Sequence, residues 1–477
     1  MLGKLRKSVA KLPFHESNLA LKQVKCDACI EENGVCKCDN GDIEGMVMTE
    51  DAADQQARSG NSSFLHAVLN MSGMLIGLGQ LSTPYALENG GWGSVFLLVG
   101  LGFICYNNLH ASDPIGTTIC TYTSHVLGKC LDKNPKSESF ADIGENAFGR
   151  KGRVLTTTFI YIEIFMALVS YTISLHDNLI TVLSGPQIKL PGVPNLHTSQ
   201  LITVVAVLIA LPSLWLRDLS SISFLSSGGI LMSLVVFISV VCTAAFGSVE
   251  ANHSIPFLHV KNIPAISGLY IYSYAGHFVF PNLYKAMKDP SKFTKVSIVS
   301  FAACTLLYTA LAFLGAKMFG PEVNPQITLS LPRHHFITKI ALWATVLTPM
   351  TKYALEFAPF AIQLENNLPD SLSSRMKLII RGFVGSILLL VILSLALSVP
   401  YFEHVLSLTG SLVSVCICMT FPSAFYIKLS WPHISKPVLI LNLSLIAFGS
   451  ILGVLGTISS AKMLIKTLLR AHSTRVR

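Results

Sequence analysis

Pro264–Met287 reads P-A-I-S-G-L-Y-I-Y-S-Y-A-G-H-F-V-F-P-N-L-Y-K-A-M, and two hundred residues earlier Phe64–Leu87 reads F-L-H-A-V-L-N-M-S-G-M-L-I-G-L-G-Q-L-S-T-P-Y-A-L. Each stretch is apolar and long enough to cross a bilayer, which takes about 20 residues. Neither can be one clean helix. The first holds Gly268, Gly276 and Pro281 with His277 at the interruption, and the second holds Gly73, Gly77, Gly79 and Pro84. Glycine weakens the helix and proline removes an N–H. Backbone freed at membrane depth is tolerated only where protein covers it or a wet cavity meets it. Interruptions at matching places in two halves of a chain point to the substrate site of a secondary transporter.

Composition sets the class around these stretches. Hydrophobic residues make up 51% of the 477 and charged residues only 13%, against roughly a quarter charged in a soluble domain. Mean hydropathy is +0.56. Most of the chain therefore belongs in lipid. The net charge of +9 does not indicate nucleic acid, because Lys and Arg fall in short loops between apolar runs rather than on one face.

Eleven apolar segments predict an all-α polytopic membrane protein with about 11 transmembrane helices: 64–87, 93–131 (interrupted), 155–182, 200–216, 220–247, 264–287, 294–319, 336–360, 378–400, 403–427 and 437–461. Residues 1–60 are polar, with no cleavable signal peptide, and read as a disordered cytosolic tail. The transporter domain is then 61–465. With the tail in the cytosol, Lys129, Lys133, Lys136, Arg150, Lys151, Arg153, Lys285, Lys288, Lys292, Lys295, Arg375, Lys377 and Arg381 share its side, and the other side holds little beyond Lys189, Lys261 and Arg333. That bias follows the positive-inside rule. An odd span count puts the basic tail 466–477 on the far side, unless the last helix extends past the membrane with Lys462, Lys466 and Arg470 on one face.

Residues 105–119 are atypical. Asn107, Asn108, His110, Asp113 and Pro114 interrupt the second span, and excising the segment would join Ile104 to Cys120 in a helix of ordinary length. The segment reads as an insertion that would place polar groups in lipid. Cys26, Cys29, Cys36 and Cys38 in the tail form C-x2-C-x6-C-x-C, a weak zinc candidate beside the simpler reading of reduced cytosolic thiols. Among the Asn-x-Ser/Thr sequons, only Asn252 falls in a far-side loop, where a glycan could be added.

The chemistry is expected at the interruptions. Unwinding from Gly73 to Gly79 would free N–H groups and begin a half-helix whose partial positive charge suits a carboxylate. The plainer reading is that the glycines allow close helix packing. Substrate contacts are expected from Ser72, Gly73, Met74, Gly77 and Gly79 in the first broken span, and from Ser273, Tyr274, Gly276 and His277 in the second. His277 could couple or gate protons, touch substrate, or hold the break by donating to a carbonyl. Glu163 and Lys352 lie at similar depths and are expected to pair across the cavity in a proton-coupling or gating role. Lys352 could instead pair with Glu356 one turn on, or snorkel. The chain carries no nucleophile elbow, H-E-x-x-H or P-loop, so it reads as a non-enzyme without cofactor; His334-His335 reads as an interfacial loop for want of an acidic partner.

At these residues the chain resembles the amino acid/auxin permease family, most closely plant vacuolar amino acid transporters of the vesicular inhibitory amino acid transporter type. The matching pieces are L-S-T-P-Y-A-L-E-N-G-G-W at 81–92, D-I-G-E-N-A-F-G at 142–149, Y-I-E at 161–163, L-P-S-L-W-L-R-D-L-S at 211–220, the run at 268–293 and T-P-M-T-K-Y-A-L at 348–355. The resemblance covers roughly 62–465. It implies a LeuT-type fold of two inverted five-helix repeats plus one helix, with spans 1 and 6 broken. It also implies transport of amino acids coupled to protons, usually across the vacuolar membrane, with Gly73 to Gly79 and Ser273 to His277 around the substrate. Residues 105–119 and the first-span interior N-M-S-G-M-L-I-G-L-G depart from the pattern.

The expectation is a proton-coupled carrier of neutral amino acids working by alternating access, with amino acid, protons and the bilayer as partners and no nucleic acid. The vacuolar membrane is the first location and the plasma membrane the alternative. The competing function is an amino acid-sensing membrane receptor with little flux.

Overall fold

The computed structural model describes residues 60–102, 119–183, 204, 207, 219–247, 249–366, 368–369 and 371–476. The amino-terminal tail with its four cysteines, nearly all of the 105–119 segment, most of the 200–216 span and most of the 211–220 motif lie outside the described residues.

The first broken span is α1 (Phe64–Leu75) and α2 (Gly79–Gly90), bent 56° across Ile76–Leu78. Pieces of the second are α3 (Val95–Gly102) and α4 (Ile119–Lys133). The third is the long α5 (Phe140–Leu183), turned at Gly149, whose φ of 66° lies in the left-handed region that glycine tolerates. The fifth is α6 (Leu219–Phe246), and the sixth is α7 (Ile263–Ser273), a 3₁₀ turn His277–Val279 and α8 (Phe280–Ala286). Then come α9 (Phe293–Phe319), α10 (Phe336–Asn366) and α11 (Ser374–Ser398). The tenth is α12 (Phe402–Thr409) continued through π-helical turns at Gly410–Ser414 and Cys416–Thr420 into α13 (Phe421–Ser430). The last is α14 (Lys436–Val476).

Among the described residues, six helices are long and apolar enough to cross a membrane singly, and α1 with α2 makes a seventh as a bent pair. Ten of the eleven expected spans thus have helix in place, and Val204 and Val207 are helical where the fourth is expected. The basic segment expected as a separate tail is instead the end of α14. At about 1.5 Å per residue, its 41 residues run far past a hydrocarbon core of about 30 Å.

The burial pattern suits lipid. Large apolar side chains face outward, among them Phe96, Phe246, Leu306 and Phe383. Hydroxyls are turned in: Ser82, Thr83, Ser124, Ser170, Thr172 and Ser174 are buried. In a bilayer, apolar surface gains little by burial between helices, so small residues and hydroxyls make the contacts. Ser124 meets Ser297 at 2.8 Å across α4 and α9. α7 crosses the tenth span closely, and a Cβ at Gly410 would lie 1.8 Å from the Gly268 carbonyl oxygen.

The D-I-G-E-N-A-F-G stretch is a corner before the third span. Asp142 caps the start of α5 by accepting from the Glu138 and Ser139 amides at 3.1 and 2.9 Å, and Arg153 donates to Asp142 and Glu145 at 3.1 and 2.5 Å.

Candidate substrate site

Both interruptions are real, and narrower than the glycines suggest. The α1 helix persists through Gly73 to Leu75, where the Ile76 amide still reaches the Ser72 carbonyl at 2.8 Å. The next helix starts at Gly79 behind Leu78, with no side chain capping it; the Leu81 amide donates to the Leu78 carbonyl at 3.0 Å, and the Gly79 and Gln80 amides remain as open donors among the described residues. Pro84 sits inside α2 and cannot bond the Gln80 carbonyl. The Thr83 hydroxyl does so instead at 2.9 Å, which is why proline is tolerated there. In the sixth span, α7 ends at Ser273 and the chain resumes as a 3₁₀ turn at His277, with Pro281 in the first turn of α8.

Two side chains take the carbonyls these breaks release. The Tyr308 hydroxyl, on α9, donates to the Leu75 carbonyl at 2.7 Å and lies 3.1 Å from the Ser273 carbonyl, one proton shared between the two broken ends. The Lys352 ammonium, on α10 and 2% exposed, donates to the Gly73 and Ile76 carbonyls at 3.2 and 3.0 Å. It is thus a cation tethered to the unwound turn of span 1. The expected pairing of Lys352 with Glu163 does not form; Glu163 instead accepts the Ser414 hydroxyl, at 2.7 and 2.9 Å from its two oxygens. The two residues face different helices.

Between the breaks lies a narrow cavity of about 50 Å³. That is well below the range of about 300–1,000 Å³ usual for small-molecule sites, so the two broken spans stand close together here and must part to admit an amino acid. Span 1 lines it with Met74, Gly77 and Gly79, and the sixth span with Tyr272, Gly276 and Phe278. Span 3 contributes Glu163 and Tyr171, and span 8 contributes Glu356.

Of the residues singled out in the sequence, Met74, Gly77, Gly79, Gly276 and Glu163 therefore meet at the cavity. Five others face elsewhere. Ser72 is hydrogen-bonded with Cys304. Gly73 faces Ile230 on α6, 2.4 Å from where a Cβ would stand. Ser273 donates back to the Leu269 carbonyl at 2.9 Å. Tyr274 reaches 2.9 Å to Thr305 and 3.2 Å to the Leu98 carbonyl. His277 is fully buried against α4, its Nε2 3.0 Å from both the Cys120 carbonyl and the Thr123 hydroxyl, its ring beside Phe280 and Phe301. Since a carbonyl only accepts, Nε2 donates there.

Tyr272, Phe278, Tyr308 and Ser414 were not foreseen, and Glu356 was considered only as a partner for Lys352. Ser414 ends a π-helical turn, a feature that often marks functional sites. Replacing Tyr308 with Phe leaves two buried carbonyls without their donor, each costing about 1–3 kcal/mol. Flux in reconstituted vesicles is expected to drop about tenfold, at 1.4 kcal/mol per factor of ten. Unchanged flux would remove Tyr308 from the machinery.

Ties flank the cavity at both ends. At the amino-terminal side, Ser62 pairs with the chain after α8, its amide on the Ala286 carbonyl and its carbonyl under the Lys288 amide, both at 2.9 Å. At the opposite side, Gln326 accepts from Ser174 at 2.6 Å and Asn178 at 2.7 Å and donates to Asp177 at 2.7 Å. This fastens the loop after α9 onto span 3. Asn252, on that side, is exposed in the loop before α7 and donates to Glu250 at 2.7 Å.

The comparisons agree with this architecture. The chain is 59% identical over 451 residues to the amino acid transporter AVT1H of Arabidopsis thaliana, covering 94% of this chain and 99% of that protein. It is 35% identical to AVT1E of the same plant, covering 84% and 74%. It is 25% identical to the vesicular GABA transporter of Caenorhabditis elegans, covering 76% and 72%. Among solved structures, MhsT in complex with L-phenylalanine superposes with a TM-score of 0.51 at 12% identity, over 84% of this chain and 99% of that one. That likeness shows the fold, an all-α LeuT-type arrangement with spans 1 and 6 broken. The family model for transmembrane amino acid transporter proteins matches residues 60–111 and 115–462, skipping only 112–114 of the atypical segment. On this evidence the chain is a multi-pass membrane protein, not an enzyme, and belongs to the transmembrane amino acid transporter protein family.

Proposed function

We propose that the chain carries neutral amino acids across an endomembrane, the vacuolar membrane first, coupled to protons and working by alternating access. The observation that carries this reading is the cavity between two broken helices, lined by open amides on one side and carboxylates on the other. A zwitterion matches that polarity. Its carboxylate meets the uncapped start of α2, and its ammonium meets the acids. Relatives named as amino acid transporters, and one named for GABA, support the substrate class.

Glu163 is the proton seat. Its partner Ser414 has a second acceptor, the Thr409 carbonyl at 3.4 Å. The hydroxyl can donate to the carboxylate, or turn to Thr409 and accept from the carboxylic acid. Both protonation states are thus hydrogen-bonded, as a reversible proton site requires. Alternating access breaks the Ser62 and Gln326 ties in turn.

Purified protein in liposomes is expected to accumulate labelled alanine when a pH gradient is imposed, and to lose most of that response when it is collapsed with an ionophore. Glu163→Gln is expected to keep exchange of alanine across the membrane but to abolish dependence on the gradient. Saturable binding with no flux in either direction would favour a sensor and defeat the transport reading.

A further inference from the structure

We propose that the outward face of α14 binds an anionic phospholipid of the far-side leaflet, with Lys462, Lys466 and Arg470 around its phosphate and Ile465 and Leu469 against its acyl chains. This site is separate from the cavity and from the substrate the cavity carries.

Contacts with span 10 fix the rotation of α14. A Cβ on Gly456 would stand 2.6 Å from the Ser411 side chain, the Ser460 hydroxyl meets that of Ser407 at 2.6 Å, and the Thr467 hydroxyl lies 3.2 Å from Nε2 of His404. At about 100° per residue, these three positions share the inner face of the helix. The same rotation stacks Ile451, Leu455 and Ile458 on the opposite face, followed by Lys462, Ile465, Lys466 and Leu469. The five aliphatic residues are all exposed, Ile465 and Leu469 to 56% and 66%. An apolar track therefore climbs the helix and ends among cations.

The tie to His404 sets the depth. α12 begins at Phe402, where span 10 enters the membrane from the far side, so Thr467 marks that surface. At about 1.5 Å per residue, Lys462 lies about 7.5 Å toward the hydrocarbon and Arg470 about 4.5 Å beyond. The three cations straddle the headgroup layer.

Charge names the partner. α14 has no acidic residue, and Glu403 lies 3.6 Å from His404, on the packed side of the helix. Among the described residues, Lys462 and Lys466 form no ion pair. Basic residues on the far side also run against the positive-inside bias, so topology does not account for them. Clustered Lys and Arg beside a membrane attract anionic headgroups, and a phosphate accepts from ammonium and guanidinium alike. Ile465 and Leu469, interleaved with the cations, favour a lipid over free phosphate, which brings no apolar surface. A second copy of the chain fits poorly, because two-fold pairing through α14 sets like charges opposite one another.

The full chain in phosphatidylcholine nanodiscs, with a photoreactive phosphatidic acid added, tests this site. Labelling is expected on α14 between Ile451 and Leu469. Excess plain phosphatidic acid is expected to remove it, and excess phosphatidylcholine to leave it. Combining Lys462→Gln, Lys466→Gln and Arg470→Gln is expected to lower labelling at least tenfold, whereas Lys462→Arg with Lys466→Arg keeps it. Variants are compared as single species in size-exclusion chromatography, and the competition needs only the wild type. Equal labelling by a photoreactive phosphatidylcholine, unchanged labelling in the triple variant, or displacement by inorganic phosphate overturns the proposal. So does labelling confined to the cytosolic basic loops, or crosslinking of α14 to its counterpart in a second copy.

Discussion

Lys352→Met is expected to lower amino acid flux at least a hundredfold while the protein still folds. Methionine keeps much of the aliphatic stem and removes the ammonium. Two consequences act together. The Gly73 and Ile76 carbonyls lose the donor that holds the unwound turn open, and buried acceptors without partners cost about 1–3 kcal/mol each. Glu356, one turn along the same helix, also loses the electrostatic attraction of the ammonium, and leaving a buried charge without its partner costs about 3–5 kcal/mol. At 1.4 kcal/mol per factor of ten, either term alone approaches the hundredfold loss.

The two causes can be separated. Lys352→Met combined with Glu356→Gln repairs the charge count but not the tether, so recovery above a tenth of wild-type flux assigns the loss to electrostatics. Lys352→Arg keeps the charge and offers several donors, but its planar head does not reproduce a compact ammonium between two carbonyls, so partial activity is expected. Flux is read in proteoliposomes and folding by size-exclusion chromatography. Lys352→Met within threefold of wild type would show that the tether is incidental.

Lys352 also marks where reading the sequence stops. A similar depth in the membrane follows for Glu163 and Lys352 from a fixed rise per residue and from basic loops that locate the ends of each span. Their directions do not. One turns toward the π-helical turn of the tenth span and the other toward the break in the first. Only packing sets the rotation of each helix. The same limit separates His277 from Tyr272 and Phe278. Beyond Ser273 the chain leaves helical geometry, and the period of 3.6 residues no longer says which side chain faces inward. The breaks themselves were legible because glycine and proline act on the backbone locally. Tyr308 and Ser414 act through helices distant in sequence, and an isolated hydroxyl in an apolar run carries no mark of its role.

Gly79→Ala is expected to abolish transport almost as fully as loss of Lys352, whereas Gly77→Ala is expected to stay within about threefold of wild type. By sequence the two glycines are equivalent, two residues apart in the same interrupted span. A Cβ on Gly79 would stand 2.5 Å from Cα of Ser273 and 2.6 Å from its hydroxyl. The obstacle is backbone at the end of α7, so the first turn of α2 and the end of α7 would have to separate. Those two ends frame the cavity, and the Tyr308 hydroxyl joins the Ser273 end to Leu75 at the end of α1, so even a small separation dismantles the site. A Cβ on Gly77 would lie 3.3 Å from the Tyr171 hydroxyl and 3.5 Å from the Lys352 ammonium, both at the far ends of flexible side chains that can give by a few tenths of an ångström. Overpacking costs about 1–3 kcal/mol where neighbours can yield, and more where they cannot. Uptake by the two variants, compared at matched amounts of folded protein, measures the difference directly. Equal losses would mean that the unwound turn tolerates no side chain anywhere, and that contact between the two breaks is not what shapes the cavity.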